Sequence, residues 1–133
     1  MTTQPEHPMH DIADSDPEGH RIAQPASTPE ELRAALALIA PDALPTFDAE
    51  RAAALRQSRE QVSAAPMRRF VGQWAVYVAI ERHPDRAARL RALEARAAET
   101  DDIHEARELA AEIGRILDTA CAEAGIDQEQ GAA

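Results

Sequence analysis

Hydrophobic positions recur at helical spacing from residue 28 to residue 126. Leu32, Ala35, Leu36 and Ile39 fall at i, i+3, i+4 and i+7, one face of a first helix. Its start is marked by Thr28-Pro29-Glu30-Glu31, with Thr at the N-cap, Pro at the first helical position and Glu at the third. That is a capping box, whose cap contributes about 1 kcal/mol. Pro41 stops the helix. The next residues, 41–46, read as a turn or a single helical turn, because Pro45 pushes Leu44 out of the helical region. A second helix is predicted from about Thr46 to Gln61, with Phe47, Ala54, Leu55, Ser58 and Val62 on one side.

Ala65-Pro66 opens a third helix in which Met67, Phe70, Val71, Trp74, Tyr77 and Val78 follow the same series. Val76, Ala79 and Ile80 widen its apolar face, which marks it as the most enclosed helix. A strand over Trp74–Ile80 is the competing reading, but the chain offers no second strand-like run to pair with it. His83-Pro84 ends this helix. A fourth spans Asp85 to Glu99 with Leu90, Leu93 and Ala97 as a thin seam, and Thr100-Asp101-Asp102 breaks it. Asp102-x-x-Glu105 opens a fifth helix over Ile103–Ala124, with Leu109, Ile113, Ile116, Leu117 and Ala120 inward. Gly125 suits a left-handed C-terminal stop, with Ile126 folding back in a Schellman contact. The short break at 100–102 makes the last two helices an antiparallel hairpin. The fold predicted is therefore all-α, a small bundle of about five helices over residues 28–126. It divides into an aromatic part at 28–84 and the helical hairpin at 85–126. Residues 1–27, polar and aperiodic, read as a disordered acidic tail, and 127–133 as a second tail.

Composition sharpens where the core lies. The four aromatic residues, Phe47, Phe70, Trp74 and Tyr77, all fall between residues 47 and 77. Elsewhere the chain must pack through Leu, Ile, Val and abundant Ala, so stability rests on many close helix contacts. All 14 basic residues are Arg, and Asn is absent as well as Lys. Both missing residues use A-rich codons, which points to a GC-rich genome such as an actinobacterium's. The start of the chain has no signal-peptide pattern. The longest apolar stretch, Phe70–Ile80, is broken by Gly72 and Gln73 and is too short to span a bilayer. The expectation is a cytoplasmic protein with no membrane role.

The net charge of −10 is unevenly distributed. Residues 1–50 carry ten acids against Arg21 and Arg33, and residues 97–133 carry ten against Arg107 and Arg115. Between them, residues 51–96 carry ten Arg against Glu60, Glu81, Asp85 and Glu94. Such blocks imply either contacts between segments that neutralise one another or a basic face for an acidic partner. Arg82, Arg86 and Arg89, at i, i+4 and i+7, share a face if the helices run on across His83-Pro84, and Arg68 and Arg69 lie one helix earlier. This cluster, with Tyr77 as the ring best placed to reach a partner, is the candidate partner or nucleic-acid surface. The simpler reading is an Arg face paired with the acidic last helix.

Catalytic constellations are not found. The five glycines are scattered and form no phosphate loop, and neither H-E-x-x-H nor Cys-x-x-Cys occurs. Cys121 follows the inward Ala120 and reads as a structural thiol. His83 reads as a residue at a helix end, and His104 as exposed. His7, His10 and His20 among Asp11, Asp14 and Asp16 lack a scaffold to fix metal geometry. Glu105, Glu108 and Glu112 line one face but lack the Glu-x-x-His pairs of a carboxylate metal bundle, so they read as an acidic face partly paired with Arg107 and Arg115. No catalytic residue, cofactor or metal is expected.

The run Leu32-Arg33-Ala34-Ala35-Leu36, then Pro45-Thr46-Phe47-Asp48-Ala49-Glu50, then Ala65-Pro66-Met67-Arg68-Arg69-Phe70 with Trp74, resembles an actinobacterial domain of unknown function. Its members are small helical proteins that look like partners of ribosome-dependent RNA-cleaving toxins or similar small modules. The resemblance covers about residues 30–84, leaves the hairpin outside, and brings no catalytic residues. It implies a non-enzymatic interaction protein, antitoxin-like, whose acidic first or last segment meets a small basic protein. The alternative is a nucleic-acid-binding regulator using the central Arg cluster, against which stand the acidic total and the lack of a helix-turn-helix signature.

Overall fold

The computed structural model describes residues 22–126. The tail assignments for 1–21 and 127–133, and the His and Asp residues near the start, lie outside the described residues. Helix α1 spans Pro29–Ile39, a 3-10 turn Pro41–Ala43, α2 Leu44–Gln61, α3 Ala65–Glu81, α4 Pro84–Glu99 and α5 Ile103–Ala124. Among the described residues there is no strand, as the periodicity predicts.

The local signals explain the boundaries. Thr28 Oγ1 accepts the Glu31 N–H at 3.2 Å, the forward half of the capping box at the start of α1. The Thr28 N–H goes to Ala26 O at 2.9 Å and not to the Glu31 side chain. At α5, Asp102 Oδ1 accepts the N–H groups of His104 and Glu105, at 2.9 and 3.4 Å. The return bond expected of Glu105 goes elsewhere. Thr100 Oγ1 accepts the Asp102 N–H at 3.2 Å and donates to Glu105 Oε1 at 2.6 Å, so the threonine completes the box. The α5 stop is a full Schellman motif. Gly125 takes φ 79°, its N–H reaches Ala122 O at 3.1 Å, and the Ile126 N–H reaches Cys121 O at 2.9 Å.

Two expectations about α2 need correction. Leu44 is helical, with φ −60° and ψ −41°, despite the proline after it. Pro45 occupies the first turn, where its missing N–H costs no hydrogen bond, and Leu44 packs against the core; together these outweigh the local preference. Val62 and Leu55 do not join the buried side. The helix ends at Gln61, so Val62 leaves the register, and Leu55 is rotated about 100° from the buried Ala54. Val62 instead takes a left-handed conformation, φ 51° and ψ 52°, and is 90% exposed. Its N–H reaches Arg59 O and that of Ser63 reaches Ser58 O, a second Schellman turn built on a β-branched residue.

Helix α3 is central, packing against α1, α2, α4 and α5. Phe70, Trp74, Ala75, Val78, Ala79 and Ile80 are all buried on it. Phe47 of α2 is fully buried, with ring centroids 5.0 Å from Phe70 and 5.2 Å from Trp74. Tyr77 stands 5.0 Å from Trp74, and the indole N–H donates to Glu50 Oε1 at 2.9 Å. Fully burying side chains such as Phe47, Leu32, Leu36 and Val78 stabilises by about 1.5–3 kcal/mol each. Buried Ala75, Ala79, Ala87, Ala120 and Ala124 let the helix axes approach closely where no large side chain is available.

The hairpin packs on the core rather than extending from it. Ala120 and Ala124 are buried in the central cluster, and Ile113, Ile116 and Leu117 lie against it. The paired helices run antiparallel, since Arg96 meets Glu105, Arg89 meets Glu112 and Arg86 meets Glu123. Helices α1 and α2 do the same through Arg33–Asp48 and Arg51–Glu30.

Residues 22–27, which composition places in the tail, are seated on α3. Arg82 donates to Ile22 O at 3.0 Å and to Gln24 Oε1 at 3.1 Å, while Gln24 donates to Ala75 O at 3.1 Å. Ile22 packs against the core.

Two substitutions check this account. Trp74→Ala should lower the unfolding free energy in urea by about 3–5 kcal/mol, since it empties the aromatic centre. Val62→Gly should raise it by about 0.5–1 kcal/mol by relieving the left-handed valine. A destabilised Val62→Gly protein would show that the conformation carries no strain.

Candidate functional site

The basic block of the sequence separates into two populations. Arg82, Arg86 and Arg89 do share one side of the α3–α4 joint, and that side faces α5. Glu123 lies between the first two. Arg82 Nη2 donates to its Oε1 at 2.8 Å, and Arg86 makes a two-pronged contact at 2.9 and 3.0 Å. Arg86 also donates to Ala79 O at 2.9 Å, and His83 Nε2 stands 3.6 Å from Glu123 Oε1. Their side chains are only 14% and 19% exposed, so these arginines are held where the local dielectric strengthens the pairing. The Arg86 hydrogen bonds, aided by the charges of Arg86 and Arg82, outweigh desolvation and hold the Glu123 carboxyl down at about 2.

Arg89 pairs with Glu112 at the surface, and Arg96 with Glu105. The Glu105 carboxyl is lowered first by the Thr100 hydroxyl and further by Arg96, against burial. Glu105 and Glu112 therefore pair across the hairpin, with Arg96 and Arg89 instead of Arg107 and Arg115 of their own helix. Antiparallel register sets the α4 arginines directly opposite them. Arg91 pairs with Glu81 of α3.

Tyr77 is half-buried beside Trp74; burial first, and then Glu81, push its hydroxyl above the usual range. Cys121 is a half-buried free thiol. His83 stands at the N-cap of α4, while Asp102 and Glu105 serve the start of α5. Among the described residues no group of His, Cys, Asp or Glu could hold a metal ion. No helix among them is long and apolar enough to cross a membrane.

The second population lies at the α2–α3 corner. Arg56 and Arg59 occupy the last two turns of α2, and Arg68 and Arg69 the first two of α3. All four are exposed, and none of their side chains makes an ion pair or hydrogen bond with another described residue. Val62 projects between them in sequence. Two depressions adjoin this corner. One, of about 200 Å³, lies between α2 and α3, with Arg69, Gln57 and Glu50 at its edges and Phe70 within. The other, of about 450 Å³, is open and lined mainly by apolar groups of Pro29, Met67, Val71 and Ile126, with Arg68 at its side. Arg56 and Arg59 did not stand out in the sequence, because they sit on a weakly amphipathic helix with no spacing that links them to Arg68.

Residues 20–118 match the profile of a family of unknown function, DUF6247. The chain belongs to this family. Its match begins just before the segment seated on α3 and runs into the last turns of α5, so the family pattern takes in most of the hairpin and exceeds the span of 30–84 read from motifs. Arg68, Arg69, Tyr77, Arg82, Arg86 and Arg89 all lie within the DUF6247 region. Neither a curated protein nor a solved structure matches the chain.

Glu123 gives the site a pH signature. Its folded-state pKa of about 2 is below the ordinary 4.5, so its contribution is full above 4.5 and is lost as pH falls towards 2. Glu123→Gln should cost about 2 kcal/mol in urea at pH 7, allowing for screening at a partly exposed carboxylate, and far less at pH 2.5. An equal loss at both pH values would show that the charge is not what matters.

Proposed function

We propose that this protein is a non-enzymatic interaction module whose docking surface is the α2–α3 corner. The corner itself carries the reading. Four arginines with no side-chain partner among the described residues flank, along the chain, a valine that is 90% exposed and in a left-handed conformation. Strain and exposure of an apolar side chain at one point oppose stability, which is the pattern of a surface kept for contact. The residues with reactive groups support the same reading through their structural use: His83 beside Glu123, and Asp102 and Glu105 at a helix start.

An antitoxin-like role, holding a small basic protein, is a separate form of the module reading and would need another surface, because the arginine corner repels a basic partner. Its electrostatic support rests on the acidic first block, because Glu105, Glu112 and Glu123 of α5 are already matched by arginines. The second reading, a nucleic-acid-binding regulator, is favoured by the same four arginines, since unpaired guanidinium groups suit phosphates.

Tagged full-length protein, captured from its host with a partner and then reconstituted from purified components, tests the first reading. A stable complex weakened by Arg68→Glu with Arg69→Glu is expected. A chain recovered alone counts against it. Random-sequence duplex DNA separates the alternative: binding at low salt that falls steeply with added salt would favour the regulator.

A further inference from the structure

The larger depression has a feature that stability alone does not explain. Gly72 lies inside α3, on the wall of the groove. A Cβ added there would meet only Ile126 Cδ1, at 3.6 Å, an ordinary van der Waals contact. Alanine would therefore fit, and glycine within a helix is less stable than alanine. What glycine preserves at this point is open volume. Around it stand Pro29, Met67, Val71 and Ile126, an apolar surface in which the methionine can adapt to different occupants. The charge at the side is Arg68, exposed and unpartnered, with Arg69 next to it on α3 and Arg59 across the turn.

We infer that this groove receives an acidic amphipathic segment of a partner protein. Two or three apolar side chains would fill the space beside Gly72, and a carboxylate on the segment would pair with Arg68. Three observations favour a peptide segment over other occupants. The depression is open to solvent, as a docking peptide needs and an enclosed small molecule does not. Its lining is apolar, which phosphates do not seek, with the cation confined to the side. The charged residue in its lining is Arg68, so the complementary partner is acidic. This inference rests on the interaction-module reading and names the partner chemistry of its surface.

The test uses isotope-labelled full-length protein and a synthetic 14-residue peptide with Leu at i, i+3, i+4 and i+7 and Glu at most other positions. Its control carries Lys in place of Glu. The Glu peptide should shift the methyl resonances of Met67, Val71 and Ile126. Arg68→Glu should weaken binding about tenfold, the loss of one charged contact. Gly72→Leu should abolish it while leaving the melting temperature unchanged or higher, which separates groove filling from misfolding. Arg115→Glu should have no effect. Equal binding of the Lys peptide, shifts confined to other surfaces, or retained binding in Gly72→Leu would each overturn the inference. So would groove methyls that shift with protein concentration or salt alone, which would assign the groove to a second copy or to the chain's own acidic segment. Stronger perturbation of the same methyls by duplex DNA would likewise overturn it. If the captured partner still binds Gly72→Leu, the groove assignment fails while the module reading stands.

Discussion

A single carboxylate, Glu123, links the two halves of this structure. It lies near the end of the last helix and receives guanidinium groups from the end of α3 and the start of α4. Through Arg82 the same charge network reaches Ile22 and Gln24, so the N-terminal strap, the central helix and the hairpin meet at one point. Half-buried arginines are tolerable only with a partner of opposite charge and with their remaining donors satisfied. Arg86 uses Ala79 O and Arg82 uses the strap for that purpose. The strap is therefore part of the folded unit because Arg82 requires acceptors, although its own composition gives little reason for order.

The hydrophobic core works with limited material. One ring of α2, Phe47, is inserted against two rings of α3, and the remaining contacts are made by Leu, Ile, Val and Ala. Alanine contributes little area, but it permits close approach between helices, which increases dispersion contacts along their length. That economy explains why α3 must touch every other helix. With so few large side chains, a helix packed on one neighbour alone would bury too little surface.

Charge pairing decides which surface remains available. The acids of α5 and the arginines of α4 neutralise one another along the antiparallel hairpin, and the Arg33–Asp48 and Arg51–Glu30 pairs do the same between α1 and α2. What is left is the α2–α3 corner, where Arg56, Arg59, Arg68 and Arg69 form no ion pair with another described residue, although Glu50 edges the same depression as Arg69. The groove beside it is bounded by the start of α1, the first turns of α3 and the Schellman turn that carries Ile126 back onto Gly72. The C-terminal stop of α5 thus shapes a surface that belongs mainly to α3.

The sequence by itself determined the helices and their ends, because these depend on residues only a few positions apart. Thr28, Asp102 and Gly125 act within one turn, and the apolar spacing of α3 states its face directly. It also confined the aromatic residues to positions 47–77 and offered, as the simpler of two readings, an Arg face paired with the acidic last helix. Where two local rules competed, at Leu44 and Val62, the local reading failed, since packing and helix length set the outcome. Only the tertiary structure decided which arginines are engaged, because pairing depends on register between helices far apart in sequence. Arg82, Arg86 and Arg89 looked like the surface and are matched by α5. Arg56 and Arg59 carried no signal and remain free. The groove at Gly72 was illegible for the same reason: its walls come from residues 27–29, 64–72 and 126, and only their convergence in space creates it.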